Sequence, residues 1–308
     1  MDGIVYLFLL IIFIATTGGK IFGKLCCNLV VGGSVSNYAF YQIASGTVAC
    51  IFFLISGGFK LQINLPTAIY SIIFALVVAI SVVTLAAYRL TNISMVTILS
   101  STVSIIGTSL LGALVFSEKV GLRTILRIVI MLVAVVLAFL DSEKNAKNDS
   151  KKDEKKKGLT KRTVLILAIV MLISLFCNAS STIITKFYAL DTRVVDENSF
   201  FFFTNVALVI LAAIAFAVDG ALHHDHFKSA ITMLNPKKAI TLAGNTVCSN
   251  IVSLIGVPLL ALIDVSVYTP IMSAFGIITG VVASLLFREK LGVLSYIAAV
   301  VACVTVVL

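Results

Sequence analysis

Apolar residues in this chain come in long unbroken runs, each closed by a short polar or charged cluster. Ten such runs cover residues 4–24, 37–56, 67–88, 93–115, 120–140, 163–186, 199–218, 238–259, 265–286 and 291–308. A helix rises about 1.5 Å per residue, so about 20 apolar residues cross a hydrocarbon layer about 30 Å thick. The runs lack the strict apolar–polar alternation that barrel strands need. The pattern therefore predicts an all-α membrane protein with ten transmembrane helices. Residues 141–162 interrupt it with many Lys mixed among Asp, Glu, Asn and Ser. Such a stretch cannot enter the membrane and has little to pack, so a mobile charged linker is expected between residues 1–140 and 163–308.

The two flanking segments repeat each other. Phe116-Ser117-Glu118-Lys119-Val120-Gly121 and Phe287-Arg288-Glu289-Lys290-Leu291-Gly292 stand 171 positions apart, and each closes one apolar run and opens the next. Nearer the start, Ile21-Phe22-Gly23-Lys24 aligns with Ile183-Ile184-Thr185-Lys186 at an offset of 162, which also carries Gly58 onto Gly220. The offset then becomes 172, pairing Ser81 with Ser253, Ser94 with Ser266, Thr97 with Thr269 and Ser101 with Ser273. The change places a longer loop, about 219–238, between the second and third helices of the second half. Five is an odd number, so a second five-helix unit must insert upside down relative to the first. The expected architecture is a 5+5 inverted repeat, the plan by which many carriers build a site between pseudo-symmetric halves.

Composition agrees with the pattern. The chain has 308 residues, 60% hydrophobic and 12% charged, against about 45–50% and about 25% in soluble domains. A net charge of +9 would suit nucleic acid, but nine of the 23 Lys and Arg lie in the 141–162 linker. Charge placed there is topogenic, and no nucleic-acid partner is expected. Met1-Asp2-Gly3 supplies no basic segment before the first run, which is expected to be a retained helix. None of the six cysteines forms a C-x-x-C pair, and most lie in apolar runs, where they act as small apolar residues.

The duplicated Phe-x-Glu-x-x-Gly turn between fourth and fifth helices, within two sets of five spans, resembles the drug/metabolite transporter superfamily, specifically its EamA-like members. The resemblance covers nearly the whole chain outside the linker. It implies a multi-pass protein of the cell membrane. It also implies a central cavity lined by the first, third, fourth, sixth, eighth and ninth helices, and cytoplasmic termini. The positive-inside rule applied to the linker points to the opposite orientation; precedent is followed here. The family often has a Trp in the first helix, and its four-helix relatives a proton-coupling Glu; this chain has neither in that helix. No coupling mechanism is therefore carried over.

Polar stripes on apolar helices mark the candidate site, because a polar side chain in hydrocarbon needs a partner or a wet cavity. Thr97, Ser101, Ser104 and Thr108 recur on one face of the fourth helix. Tyr268, Thr269, Ser273, Gly276 and Gly280 mark the ninth, with Pro270 expected to free a backbone carbonyl. Asn178 lies on the sixth and Asn245, Ser249 and Asn250 on the eighth; Tyr41, Gln42 and Asn205 add polar groups on the second and seventh. The expected substrate contacts are Thr97, Ser101, Ser104, Asn178, Asn250, Tyr268, Thr269 and Ser273. Small polar residues also let membrane helices pack closely, and that is the competing reading for each. Glu118 and Glu289 are expected to cap the helices that follow them. The expected function is secondary transport of small polar metabolites such as amino acids, with no catalytic residues, metal or cofactor. The spans hold no mid-membrane carboxylate, so a neutral, zwitterionic or anionic substrate is expected. One alternative is an organophosphate or nucleotide-sugar-like anion exchanger. Another is a membrane enzyme or lipid-headgroup-handling subunit, resting on His223-His224-Asp225-His226 and on Arg123 and Arg127. The expected partners are the substrate and the lipid bilayer, with a second copy of the chain as a candidate.

Overall fold

The computed structural model describes residues 3–30, 35–81, 107–109, 111–118, 121–150, 161–223, 236–286 and 292–307. These residues form helices, with short turns at 57–64, 191–196 and 263–264 and no strand among them. The helices are α1 (Gly3–Val30), α2 (Val35–Ser56), α3 (Leu65–Ser81), α4 (Gly107–Phe116), α5 (Leu122–Ser150), α6 (Lys161–Leu190), α7 (Glu197–Leu222), α8 (Pro236–Leu262), α9 (Val265–Leu286) and α10 (Val293–Val307). Five stretches, Gly3–Gly23, Val35–Ser56, Glu197–Leu222, Pro236–Leu262 and Val265–Val282, are long and apolar enough to cross a membrane. Large apolar side chains stay exposed along them, such as Ile4, Leu7, Leu10 and Ile14 on α1 and Ile210, Ile214 and Val218 on α7. Apolar surface of that extent marks a membrane protein.

The first ten residues of the expected linker are helical, and residues 151–160 lie outside the described residues. α5 extends to Ser150, and α6 starts at Lys161. Ala, Glu and Lys have good helix propensity, and a helix already nucleated in the apolar run extends at little cost.

The chain divides into two compact units that do not follow the sequence halves: Met1–Val82 with Ile184–Leu262, and Val83–Ile183 with Ile263–Leu308. In the first unit α2 packs mainly against α7, α1 against α8, and α3 against α7. Hydrocarbon offers no hydrophobic drive between helices, so close backbone approach and van der Waals contact must hold them. Gly46 shows this: a Cβ there would stand 2.6 Å from Val209 Cγ2. One end of the unit is filled by Phe53, Tyr188, Phe200 and Phe201, with Tyr188 and Phe200 stacked at 4.2 Å between ring centroids. The Tyr188 hydroxyl donates to the Val195 and Asp196 carbonyls, at 2.7 and 2.9 Å, fixing the turn into α7. Asp196 caps α7 by accepting from the Ser199 N–H at 3.0 Å, and Asn64 does the same for α3 through Thr67 N–H.

In the second unit α5 packs mainly on α10, and α9 on both. Their shared core is Met131, Ala134, Val135, Ala274 and Ala302. The chain reverses after α4 at Ser117, whose φ of 51° is left-handed. Glu118 then acts on a helix other than the one expected. Its Oε1 accepts from Val265 N–H at 2.8 Å and its Oε2 from Ser266 N–H at 3.0 Å, so it caps α9. Gly112 makes room, since a Cβ there would lie 3.0 Å from Val265 Cβ.

Candidate functional site

The first unit gathers polar groups where α1, α2 and α8 meet. Gly18 faces Cys248, and Phe22 faces Gly244, whose missing Cβ would lie 2.9 Å from the Phe22 ring. Gly19 and Gly23 form a notch in α1 that receives the Asn245 side chain, whose Oδ1 would lie 3.2 Å from a Cβ at position 23. From α2 the Tyr41 hydroxyl meets Asn245 Nδ2 at 3.3 Å. These contacts run α1 and α8 antiparallel, in a register that brings Thr16 and Asn250 to one level. Both lack what burial demands: Thr16 Oγ1 and Asn250 Nδ2 are sealed from solvent without a hydrogen-bond partner. Lys20, one turn along α1 from Thr16, is exposed.

The second unit holds a comparable pair. Ser109 Oγ lies one turn back along α4 from Gly112, and Thr269 Oγ1 one turn along α9 from Val265. Both are buried without a partner. Next to Thr269, Pro270 sits inside α9 and removes one backbone donor, so the Ser266 carbonyl loses its usual intrahelical bond. Buried polar groups without a protein partner are few in a folded protein and call for an explanation, and a ligand-binding role is one.

Among the expected contacts, Asn250 is buried in the first unit, while Thr269 is buried and Tyr268 and Ser273 half-buried on α9 in the second. Asn178 is half-buried on α6, and its carbonyl accepts from Thr182 at 3.1 Å. Thr97, Ser101 and Ser104 lie outside the described residues, as do Glu289, His224, Asp225 and His226. The sequence reading missed Thr16 and Ser109. Thr16 had a signal, for the 162 offset carries it onto Asn178.

The buried carboxylate of the first unit is engaged. Asp219, near the end of α7, accepts from Ser36 N–H at 2.8 Å and Ser36 Oγ at 2.5 Å, capping α2. Its other oxygen lies 3.2 Å from His223 Nδ1. Among the described residues no three His, Cys, Asp or Glu side chains gather to hold a metal. Outside the apolar helices, Arg193 chelates Asp191 at 2.9 and 2.8 Å through Nε and Nη2. That side-chain pairing, with the Arg193 backbone N–H, draws the Asp191 carboxyl down to about 2.

No protein-family model matches the chain. No curated protein matches it significantly. Among solved structures, 24 chains match. One, described only as "Crystal structure of protein", aligns over 99% of this chain and 96% of its own, with 11% identity and a TM-score of 0.67. At that identity the likeness is one of fold.

Proposed function

We propose that this protein is a secondary transporter of small polar metabolites such as amino acids, resembling EamA-like drug/metabolite transporters. On this reading it crosses the cell membrane ten times as a 5+5 inverted repeat and works by alternating access between the halves. The observation that carries the proposal is Asn250: an amide in a membrane-length helix, 9% exposed, with its Nδ2 unpartnered. Thr16, Ser109 and Thr269 add hydroxyls in the same condition. On this reading a polar substrate gives the Asn250 amide its partner, and Thr97, Ser101, Ser104, Asn178, Tyr268, Thr269 and Ser273 are the further contacts expected from sequence. The helix pairing supports the repeat, because α2 with α7 and α5 with α10 join equivalent members of the two halves. A thermal-shift screen of the purified protein against amino acids, nucleosides, sugars and organophosphates tests it. A ligand at about 100 times its Kd stabilises the fold by about 2.7 kcal/mol. The shift should vanish in Asn250→Leu; a hit that shifts this variant as much as the wild type removes Asn250 from the site.

The anion-exchanger reading has one observation in its favour, the exposed Lys20 beside Thr16. Organophosphates stabilising the wild type but not Lys20→Gln, with amino acids inert, would select it.

A further inference from the structure

α5 carries two arginines one turn apart, and their environments differ. Arg123 is exposed, as a topogenic charge at a membrane edge would be. Arg127 is not: it is 9% exposed, and its Nε is buried without a hydrogen-bond partner. It stands on the buried face of α5 with Thr124, one turn before Met131, which is fully buried in the apolar core.

Nothing described in the unit answers this charge. No described carboxylate pairs with either arginine. The first turn of α5 holds no acidic residue, and the nearest carboxylate in sequence, Glu118, is bonded to the α9 amides. The site also lies at the start of a helix, where the backbone dipole is itself positive. A guanidinium whose Nε is buried without a partner is an unfavourable placement unless an anion meets it. The second half offers no counterpart, since Arg123 and Arg127 align with Leu294 and Ala298. A part in the repeated fold therefore does not explain the pair.

We propose that Arg123 and Arg127 form a binding site for a phosphate group, separate from the proposed substrate site. Side chains at i and i+4 are helix neighbours, and two planar guanidinium forks can grip the oxygens of one phosphate. Thr124, on the same face, adds a hydroxyl. The phosphate can belong to an anionic lipid headgroup or to a soluble anion. Leu122, Leu126 and Val129, beside the arginines on α5, are exposed at 82%, 44% and 50% and offer an acyl chain a surface to lie on.

The test uses the full-length protein in neutral detergent. Melting temperature is followed while titrating phosphatidylglycerol or phosphatidylcholine in mixed micelles or, separately, inorganic phosphate at constant ionic strength. Wild type, Arg127→Gln, Arg123→Gln and, as a control for general charge loss, Lys60→Gln are compared. The proposal expects phosphatidylglycerol, and not phosphatidylcholine, to stabilise wild type and Lys60→Gln, with about tenfold weaker response in either arginine variant, as for loss of one charge-assisted contact. A response to inorganic phosphate equal to that with phosphatidylglycerol, lost in the same variants, identifies a soluble anion. Arg123→Gln, at an exposed position, carries the test if Arg127→Gln does not fold. Equal responses in wild type and arginine variants, equal loss in Lys60→Gln, or no response to either anion overturns the proposal.

Discussion

Replacing Asn250 by Leu separates a binding role from a packing role. The Asn250 Nδ2 is buried without a partner in the protein. A buried, unsatisfied donor costs about 1–3 kcal/mol. Membrane-embedded hydrogen bonds net less, about 0.6 kcal/mol on average, because the unfolded chain in lipid also finds partners. Leu keeps the branching at Cγ and removes the polar atoms, so the variant should be more stable than wild type by about 1 kcal/mol. For a chain of 308 residues that corresponds to a rise of about 1.5 °C in melting temperature. The same substitution should abolish stabilisation by substrate, giving the trade of function for stability that binding sites show. Melting in detergent, followed by tryptophan-independent dye fluorescence because the chain contains no Trp, measures both effects. A lower melting temperature would mean that the amide holds helices together, and the argument from its missing partner would be wrong.

Three further outcomes follow from the geometry. Glu118→Gln leaves one of the Val265 and Ser266 amides, both buried, without an acceptor; it should destabilise the fold by about 1–3 kcal/mol and speed hydrogen exchange at those two amides, and unchanged exchange would refute the cap. Gly46→Ala places a Cβ 2.6 Å from Val209 Cγ2, so a loss of about 1–3 kcal/mol is expected, recovered in large part by adding Val209→Ala; additive effects in a denaturation series would count against this contact. Asp191 has its carboxyl lowered to about 2, first by the Arg193 side chain and then by the Arg193 backbone N–H. The tie is therefore fully present above the ordinary carboxylate pKa and is lost as pH falls toward 2, so proteolysis of the α6–α7 turn should begin at higher pH in Arg193→Ala than in wild type.

Much of the fold was legible because membrane helices announce themselves by length. The described helices fall on the apolar runs, and five of them are long and apolar enough to cross a membrane. The larger extension, α5 to Ser150, was missed because hydropathy reports where a helix can cross lipid and not where its backbone stops. Partners distant in sequence were less legible. Glu118 was readable as a cap, but its target lies 147 residues away, and local spacing favoured the helix immediately after it. Asn250 and Thr269 could be picked as polar groups on apolar runs. Whether their polar atoms had partners depended on neighbours in three dimensions, which also hid Thr16 and Ser109. Lys20 and Arg127 look alike in sequence, each a basic residue within a turn or two of a span end. Their accessible surface differs, since Lys20 keeps an exposed side chain and Arg127 is 9% exposed.

The central proposal, that this membrane protein is a transporter of a small polar solute, is tested most directly by counterflow. Proteoliposomes are loaded with an unlabelled ligand taken from the thermal-shift screen, and traces of the same compound, labelled, are added outside with no nucleotide and no pH or voltage gradient. The account predicts rapid, transient and saturable accumulation of label, abolished in Asn250→Leu. A ligand that binds the reconstituted protein but shows no counterflow under these conditions would contradict transport.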